Sequence, residues 1–194
     1  DKQFMPFKTP EEVLDAYRSI QSRIDPYLKN MFNHFPKTKF EIRQTEAFRV
    51  ANASAQYYRG TPDGKRPGIF YVPIMDATTF NSIRMEALFL HEAIPGHHYQ
   101  LSLQNENQSL PMFRRFGWTA AYGEGWALYT ESLGNELGLY TNPYQQFGAL
   151  VTEIHRAIRL VVDVGIHCKN MSREQAIQYM MENRPIDNQF ATSE

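Results

Sequence analysis

The stretch HEAIPGHH, His91 to His98, holds three of the chain's six histidines, with a glutamate directly after the first. Neutral imidazole is the commonest metal ligand, and a carboxylate beside it can take a proton from a bound water. In the helical spacing His-Glu-x-x-His, two histidines one turn apart hold zinc and the glutamate serves as general base. Here the position four after His91 is Pro95, which cannot bind metal, and the next histidines are His97 and His98. On an unbroken helix His97 would lie about 120° around the axis and about 9 Å along it from His91. His98 would share the His91 face, but about 10.5 Å away. Neither reaches a common zinc at about 2.0–2.1 Å per ligand unless the helix is distorted. Pro95 and Gly96 supply the means, because proline removes a donor and clashes with the preceding turn and glycine accepts unusual dihedrals. Two residues inserted into the usual spacing point to His97 as the second ligand. His98 would then touch substrate or support a ligand from behind. From this stretch alone two other readings stay open: His98 as the ligand, and histidines that only cap carbonyls at a helix end.

A zinc site of this kind needs a third protein ligand and one open position for water. Glu124 is the candidate, on a separate predicted helix and flanked by Gly123 and Gly125, which permit close backbone approach. Glu131, seven residues on, shares its helix face. It either orients a ligand histidine or is itself the ligand. Trp126, Ala127, Leu128 and Tyr129 make this helix largely apolar, and a buried carboxylate needs a partner that a metal would provide. Farther along, Arg159, Asp163 and His167 form a stripe one turn apart among Leu160, Val161, Val162, Val164 and Ile166. Such a stripe is either a buried ion network or a wall of the active cleft. In the second case Asp163 would hold Arg159 and His167, and His167 would act catalytically by donating to an oxyanion. His155 and Arg156 lie on other faces and read as structural, and His34 as an exposed loop residue.

The elements that must position these groups follow from capping and periodicity. Thr9-Pro10-Glu11-Glu12 opens a helix whose apolar residues, Val13 through Phe32, recur at helical spacing, with Pro26 as a kink or break. Lys39–Gln44 and Gly68–Pro73 read as strands, with a turn at residues 60–64 between them. The resulting small sheet has an edge on which an extended peptide could pair. Thr78 or Thr79 caps the helix carrying His91, and helix resumes beyond Gly96. Residues 104–109 are loop, and a long helix runs from Tyr144 through Ile166. Ser172-Arg173-Glu174-Gln175 is a capping box opening a last helix to about Asn183.

Composition narrows the function classes. A net charge of −1 argues against nucleic acid or an acidic membrane surface as partner. A single cysteine, Cys168, excludes an internal disulfide framework. No apolar run approaches the roughly 20 residues needed to span a bilayer. The length suits one domain, residues 1–194, with an amino-terminal helix over 1–37, a small sheet over 38–75 and metal-site helices over 78–183. The chain starts at Asp1 without a methionine and reads as a cut piece, so the compartment, cytoplasmic or periplasmic, is left open.

Three segments, HEAIPGHHYQ, FRRFGWTAAYGEGWALYTESLG and IRLVVDVGIHCKNMSREQAIQYM, closely resemble the bacterial family called domain of unknown function 885, and RPGIFYV fits as well. The hallmark of that family is His-Glu-x-x-Pro-Gly-His, and the resemblance runs from about Thr9 to the end of the chain. Members are longer than this chain, which would be their carboxy-terminal catalytic part. They resemble zinc peptidases whose two helix histidines are completed by a glutamate from a later helix. The resemblance therefore implies metal at His91, His97 and Glu124, with Glu92 as the base. Two departures stand out: the family's own histidine spacing differs from that of ordinary zinc peptidases, and this chain ends at Ser193-Glu194 where members continue into a segment with tyrosine and Pro-Gly-Gln. If that segment supplies an oxyanion donor, this piece binds metal without turning over substrate.

The expectation is a mainly α fold, a helical bundle with a small antiparallel sheet beside the metal helix, carrying a Zn2+-dependent peptidase site that acts on a peptide substrate. Two rivals follow from the same residues: a non-catalytic helical scaffold with a remnant metal site, and a zinc hydrolase of a non-peptide amide or ester. Oligomeric state is not legible.

Overall fold

The computed structural model describes residues 2–194. The protein is mainly helical with one small sheet, and it forms two compact units, Asp1–Ala149 and Leu150–Glu194. The site residues His91, Glu92, His97, His98, Glu124 and Glu131 all belong to the first.

In the first unit, helix α1 (Pro10–Met31) starts as its sequence dictates: the Thr9 side chain accepts the Glu12 amide and Pro10 occupies the first turn. Val13, Leu14, Tyr17, Ile20, Ile24 and Leu28 form its buried stripe. Pro26 lies inside α1 without ending it. The stripe packs on the sheet, where the Tyr17 ring meets Phe70 edge-on with centroids 5.2 Å apart.

The sheet has three strands, β1 (Phe40–Gln44), β2 (Gln56–Tyr58) and β3 (Gly68–Val72), in the order β1-β3-β2. It is mixed, which corrects the expected antiparallel sheet: β2 pairs antiparallel with β3, but β1 pairs parallel with it, Phe40 opposite Gly68. Alternation marks a strand without giving its direction, and residues 45–67 are long enough for the crossover that a parallel pair requires. Phe70 and Val72 turn one face of β3 into the core, against α1 and the Phe89 and Leu90 side chains of the next helix.

That helix, α2 (Met85–Glu92), is followed by α3 (His97–Glu106), α4 (Met112–Phe116) and α5 (Ala120–Ser132). The expected threonine cap is instead Asp76, which opens a 3-10 turn, Ala77–Thr79; a second such turn, Ser82–Arg84, is capped by Asn81 and leads into α2. Seven of the eight α2 residues are buried, so this helix has no solvent face to give it an amphipathic signature.

Helix α6 (Pro143–Cys168) begins in the first unit and continues into the second, which adds α7 (Arg173–Asn183) and α8 (Asn188–Ser193). The predicted capping box at Ser172 is present, with the Ser172 and Gln175 side chains reciprocally bonded to backbone amides. The core of this unit is Ile158, Val162, Ala176, Met180 and Ala191. The Arg159, Asp163, His167 stripe lies outside it. Their side chains are 51%, 74% and 72% exposed, which corrects the expected low solvent access. Arg159 pairs with Glu194 at 3.4 Å rather than with Asp163, while Asp163 lies 3.6 Å from His167. Leu160, Val161, Val164 and Ile166 are themselves exposed, so these apolar neighbours mark no buried face. His155 is buried, as its structural reading requires, and sits 3.4 Å from Glu194.

Among the described residues no helix is long and apolar enough to cross a membrane.

Candidate metal centre

The helix carrying His91 breaks after Glu92 and restarts at His97. Ala93 leaves helical dihedrals, the Ile94–Pro95 peptide is cis, and Gly96 stands in the cap position of α3. Glycine is required there, because a Cβ at position 96 would stand 2.0 Å from the His91 carbonyl oxygen and 2.2 Å from that of Leu90. These are backbone atoms that cannot swing aside. The break folds α3 back so that the His91 and His97 rings meet edge to face with centroids 4.7 Å apart.

Helix α5 lies across this break and is stitched to it at two points. The Thr130 hydroxyl shares its one proton between the Ala127 carbonyl of its own helix at 2.7 Å and the Leu90 carbonyl at 2.9 Å, and the Trp126 indole donates to the Pro95 carbonyl at 2.8 Å. Both acceptors are carbonyls near the helix break that would otherwise lack a partner. With α5 held this way, its two carboxylates bracket one imidazole. Glu131, buried, meets His91 Nδ1 at 2.7 Å; Glu124, one heptad earlier, comes to 3.4 Å from His91 Nε2 and 3.8 Å from His97 Nε2. Glu131 thus fixes the ring orientation of His91 and leaves Nε2 facing His97 and Glu124. Glu131 is itself supported: the Tyr140 hydroxyl donates to its carbonyl at 2.8 Å, and the Tyr140 amide donates to the buried Glu86 carboxylate at 2.7 Å. Glu86 in turn pairs with Arg23 of α1.

His91, His97 and Glu124 each offer one ligand atom, and these atoms lie within 4.8 Å of one another. Ligands of a tetrahedral zinc at about 2.0–2.1 Å are separated by about 3.4 Å, so the group needs only a small contraction to fit. The donor chemistry also fits. Two imidazoles and a carboxylate are a usual zinc set, and Glu92 and Glu131 add negative charge around a cation. Burial alone would lower the His91 pKa, but the contacts with Glu124 and Glu131, helped by the Glu92 charge, outweigh it and push it up to about 9. Glu92 is buried beside His91 in sequence, and the Glu124 side chain is 43% exposed, so the site opens on the α5 side.

His98 does not join this group. Its ring is buried against Phe40, and its Nδ1 is hydrogen-bonded to the Tyr57 hydroxyl of β2 at 2.9 Å. Burial lowers its pKa to about 4, so it is neutral at pH 7. At 2% exposure its ring faces Phe40 and Tyr57 rather than solvent.

The sequence signature of the family described as "Bacterial protein of unknown function (DUF885)" matches residues 1–194. The chain belongs to the DUF885 family. Two solved structures are similar to it. One, from Colwellia psychrerythraea and described as a "putative lipoprotein", is 35% identical with a TM-score of 0.89 over 94% of this chain. The other, from Shewanella oneidensis and described as a "putative lipoprotein of unknown function", is 25% identical with a TM-score of 0.73 over 98% of this chain. The chain spans 32% and 36% of the length of those two proteins. No curated protein matches.

Several residues that build the centre in this DUF885 chain carry no motif signal. Thr130, Trp126 and Tyr140 act through hydrogen bonds made possible by tertiary contact, and Tyr57 comes from a strand distant in sequence. Trp118 also carries no motif signal, and its ring centroid lies 5.7 Å from that of His97. Its position just before α5, in the segment FGWTAAYGEG, was the available clue.

Proposed function

We propose that this chain carries the catalytic centre of a zinc-dependent hydrolase and that its substrate is a peptide. The observation that carries the reading is the convergence of His91, His97 and Glu124 within 4.8 Å, with a buried glutamate directly after the first histidine. His91, His97 and Glu124 would hold the metal, and Glu131 would fix the His91 tautomer through Nδ1. Bound there, zinc would polarise the scissile carbonyl and lower the pKa of a water in the open position. Glu92 would accept that water's proton and return it to the departing amine. Its burial keeps the carboxylate out of bulk water, where a proton would be lost to solvent rather than delivered. The half-exposed Glu124 marks the side from which substrate would arrive. No step is assigned to His167 or Arg159, because the burial argument that suggested one does not hold.

Glu92→Gln tests the reading. The amide nearly preserves shape but cannot accept the proton, so the variant should retain zinc and lose hydrolysis of a peptide library read by mass spectrometry. Cleavage at the wild-type rate by Glu92→Gln would remove Glu92 as the base.

A further inference from the structure

Trp118 is a large apolar side chain packed beside the metal-ligand group, yet 48% exposed. Its indole lies edge-on to His97, with ring planes at 65°, and rests on Gly123, the residue before Glu124. Gly123 admits the indole only because it has no side chain: a Cβ there would come within 2.2 Å of two ring carbons of Trp118. The backbone that carries Trp118 is fixed independently. The Arg59 guanidinium donates to the Phe116 and Gly117 carbonyls at 3.2 and 3.1 Å, and the Gln104 amide donates to the Arg114 and Gly117 carbonyls at 2.6 and 3.2 Å. Two side chains, one following β2 and the other on α3, therefore hold the segment leading to Trp118. Leaving half of the indole wet forgoes burial free energy.

We infer that Trp118 is a specificity-determining wall of the site. Its free side would take an aromatic or large apolar side chain of the peptide, next to the bond being cleaved. The inference rests on the zinc-hydrolase reading and adds to it a substrate class. One side of the indole is spent on His97 and Gly123, which fixes the ring relative to the ligand atoms. The remaining surface is apolar, so it favours a planar or bulky apolar partner over a methyl group. Discrimination of this kind amounts to about 10- to 100-fold.

The test uses two peptide hydroxamates that are identical except for a benzyl or a methyl group beside the zinc-binding head. Their binding to the full chain is measured by calorimetry, with zinc content determined on the same samples. Wild type should bind the benzyl compound about 10- to 100-fold more tightly. Trp118→Ala should bring the two affinities to within about threefold at unchanged zinc content, and Trp118→Phe should restore most of the preference. A zinc-loaded wild type that binds both compounds equally, or a Trp118→Ala protein that keeps the full preference, overturns the inference and leaves the zinc reading standing. If Trp118→Ala loses zinc, the comparison passes to Trp118→Phe and Trp118→Leu; a preference equal in those two and wild type overturns the inference. Absence of zinc and of hydroxamate binding in wild type overturns the hydrolase reading and this inference with it.

Discussion

Replacing Gly96 with alanine should disrupt the centre more than its single added carbon suggests. The new Cβ would stand 2.0 Å from the His91 oxygen and 2.2 Å from the Leu90 oxygen, more than 1 Å inside ordinary contact. Neither oxygen can turn away, and the Leu90 carbonyl is also engaged by Thr130. Relief must come from moving the chain at the break, which carries His97, the next residue, away from His91. Overpacking in a well-packed site costs about 1–3 kcal/mol, and the backbone character of both obstacles puts this case near about 3 kcal/mol. For a chain of this length that is a fall in Tm of about 6–12 °C. Gly125→Ala is the matched control: it lies in α5 beside Glu124, and a Cβ there meets nothing within 4 Å. Glycine inside a helix is about 0.5–1 kcal/mol worse than alanine, so Gly125→Ala should raise Tm by about 1–4 °C. Thermal unfolding by circular dichroism, with zinc determined on the same samples, compares the two. If Gly96→Ala melts like wild type and keeps its zinc, the account of the helix break is wrong. If Gly125→Ala is as damaging as Gly96→Ala, the argument from Cβ contacts fails.

Glu131→Gln keeps shape but removes the charge on His91 Nδ1, and zinc affinity measured by chelator competition should fall about 10-fold; an unchanged affinity would contradict its orienting role. Glu106 accepts the Lys37 and Thr38 amides, each at 2.9 Å. Burial would raise its pKa, but those donors outweigh burial and lower it, so the stabilisation is present at neutral pH and is lost as pH falls through the folded-state value. Glu106→Gln should therefore cost about 1 kcal/mol at pH 7, a Tm lower by about 2–4 °C, with the gap to wild type narrowing in acid; an equal gap at both pH values would refute the charge as its source.

Elements carried by local rules were legible in the sequence. Thr9 and Ser172 cap helices where the capping pattern places them, and the α1 stripe from Val13 to Leu28 is buried as its period requires. The Pro-Gly interruption was readable as a distortion because proline and glycine have few other reasons to stand inside a metal-ligand motif. Strand direction was not readable: the β1–β3 pairing depends on how residues 45–67 cross over, which no alternation records. The α6 stripe failed for a related reason. Apolar residues around Asp163 do not by themselves mark burial: Val162 and Ile158 face the core, whereas Leu160 and Val164 do not. Within the centre, residue type and spacing singled out His91 and Glu92 and pointed to His97, but they left Glu124 and Glu131 as alternatives, which only the contact of Glu131 with His91 Nδ1 separates. The partition between His97 and His98 depends on the fold-back at Gly96 and on Tyr57, which come together only in three dimensions.

Zinc content determines whether this centre is what its geometry suggests. Elemental analysis of the purified chain should find about one zinc per molecule, reduced to background in His91→Ala, His97→Ala and Glu124→Ala and retained in His98→Ala. Full zinc in His91→Ala or His97→Ala, or loss confined to His98→Ala, would contradict the assignment of the ligands.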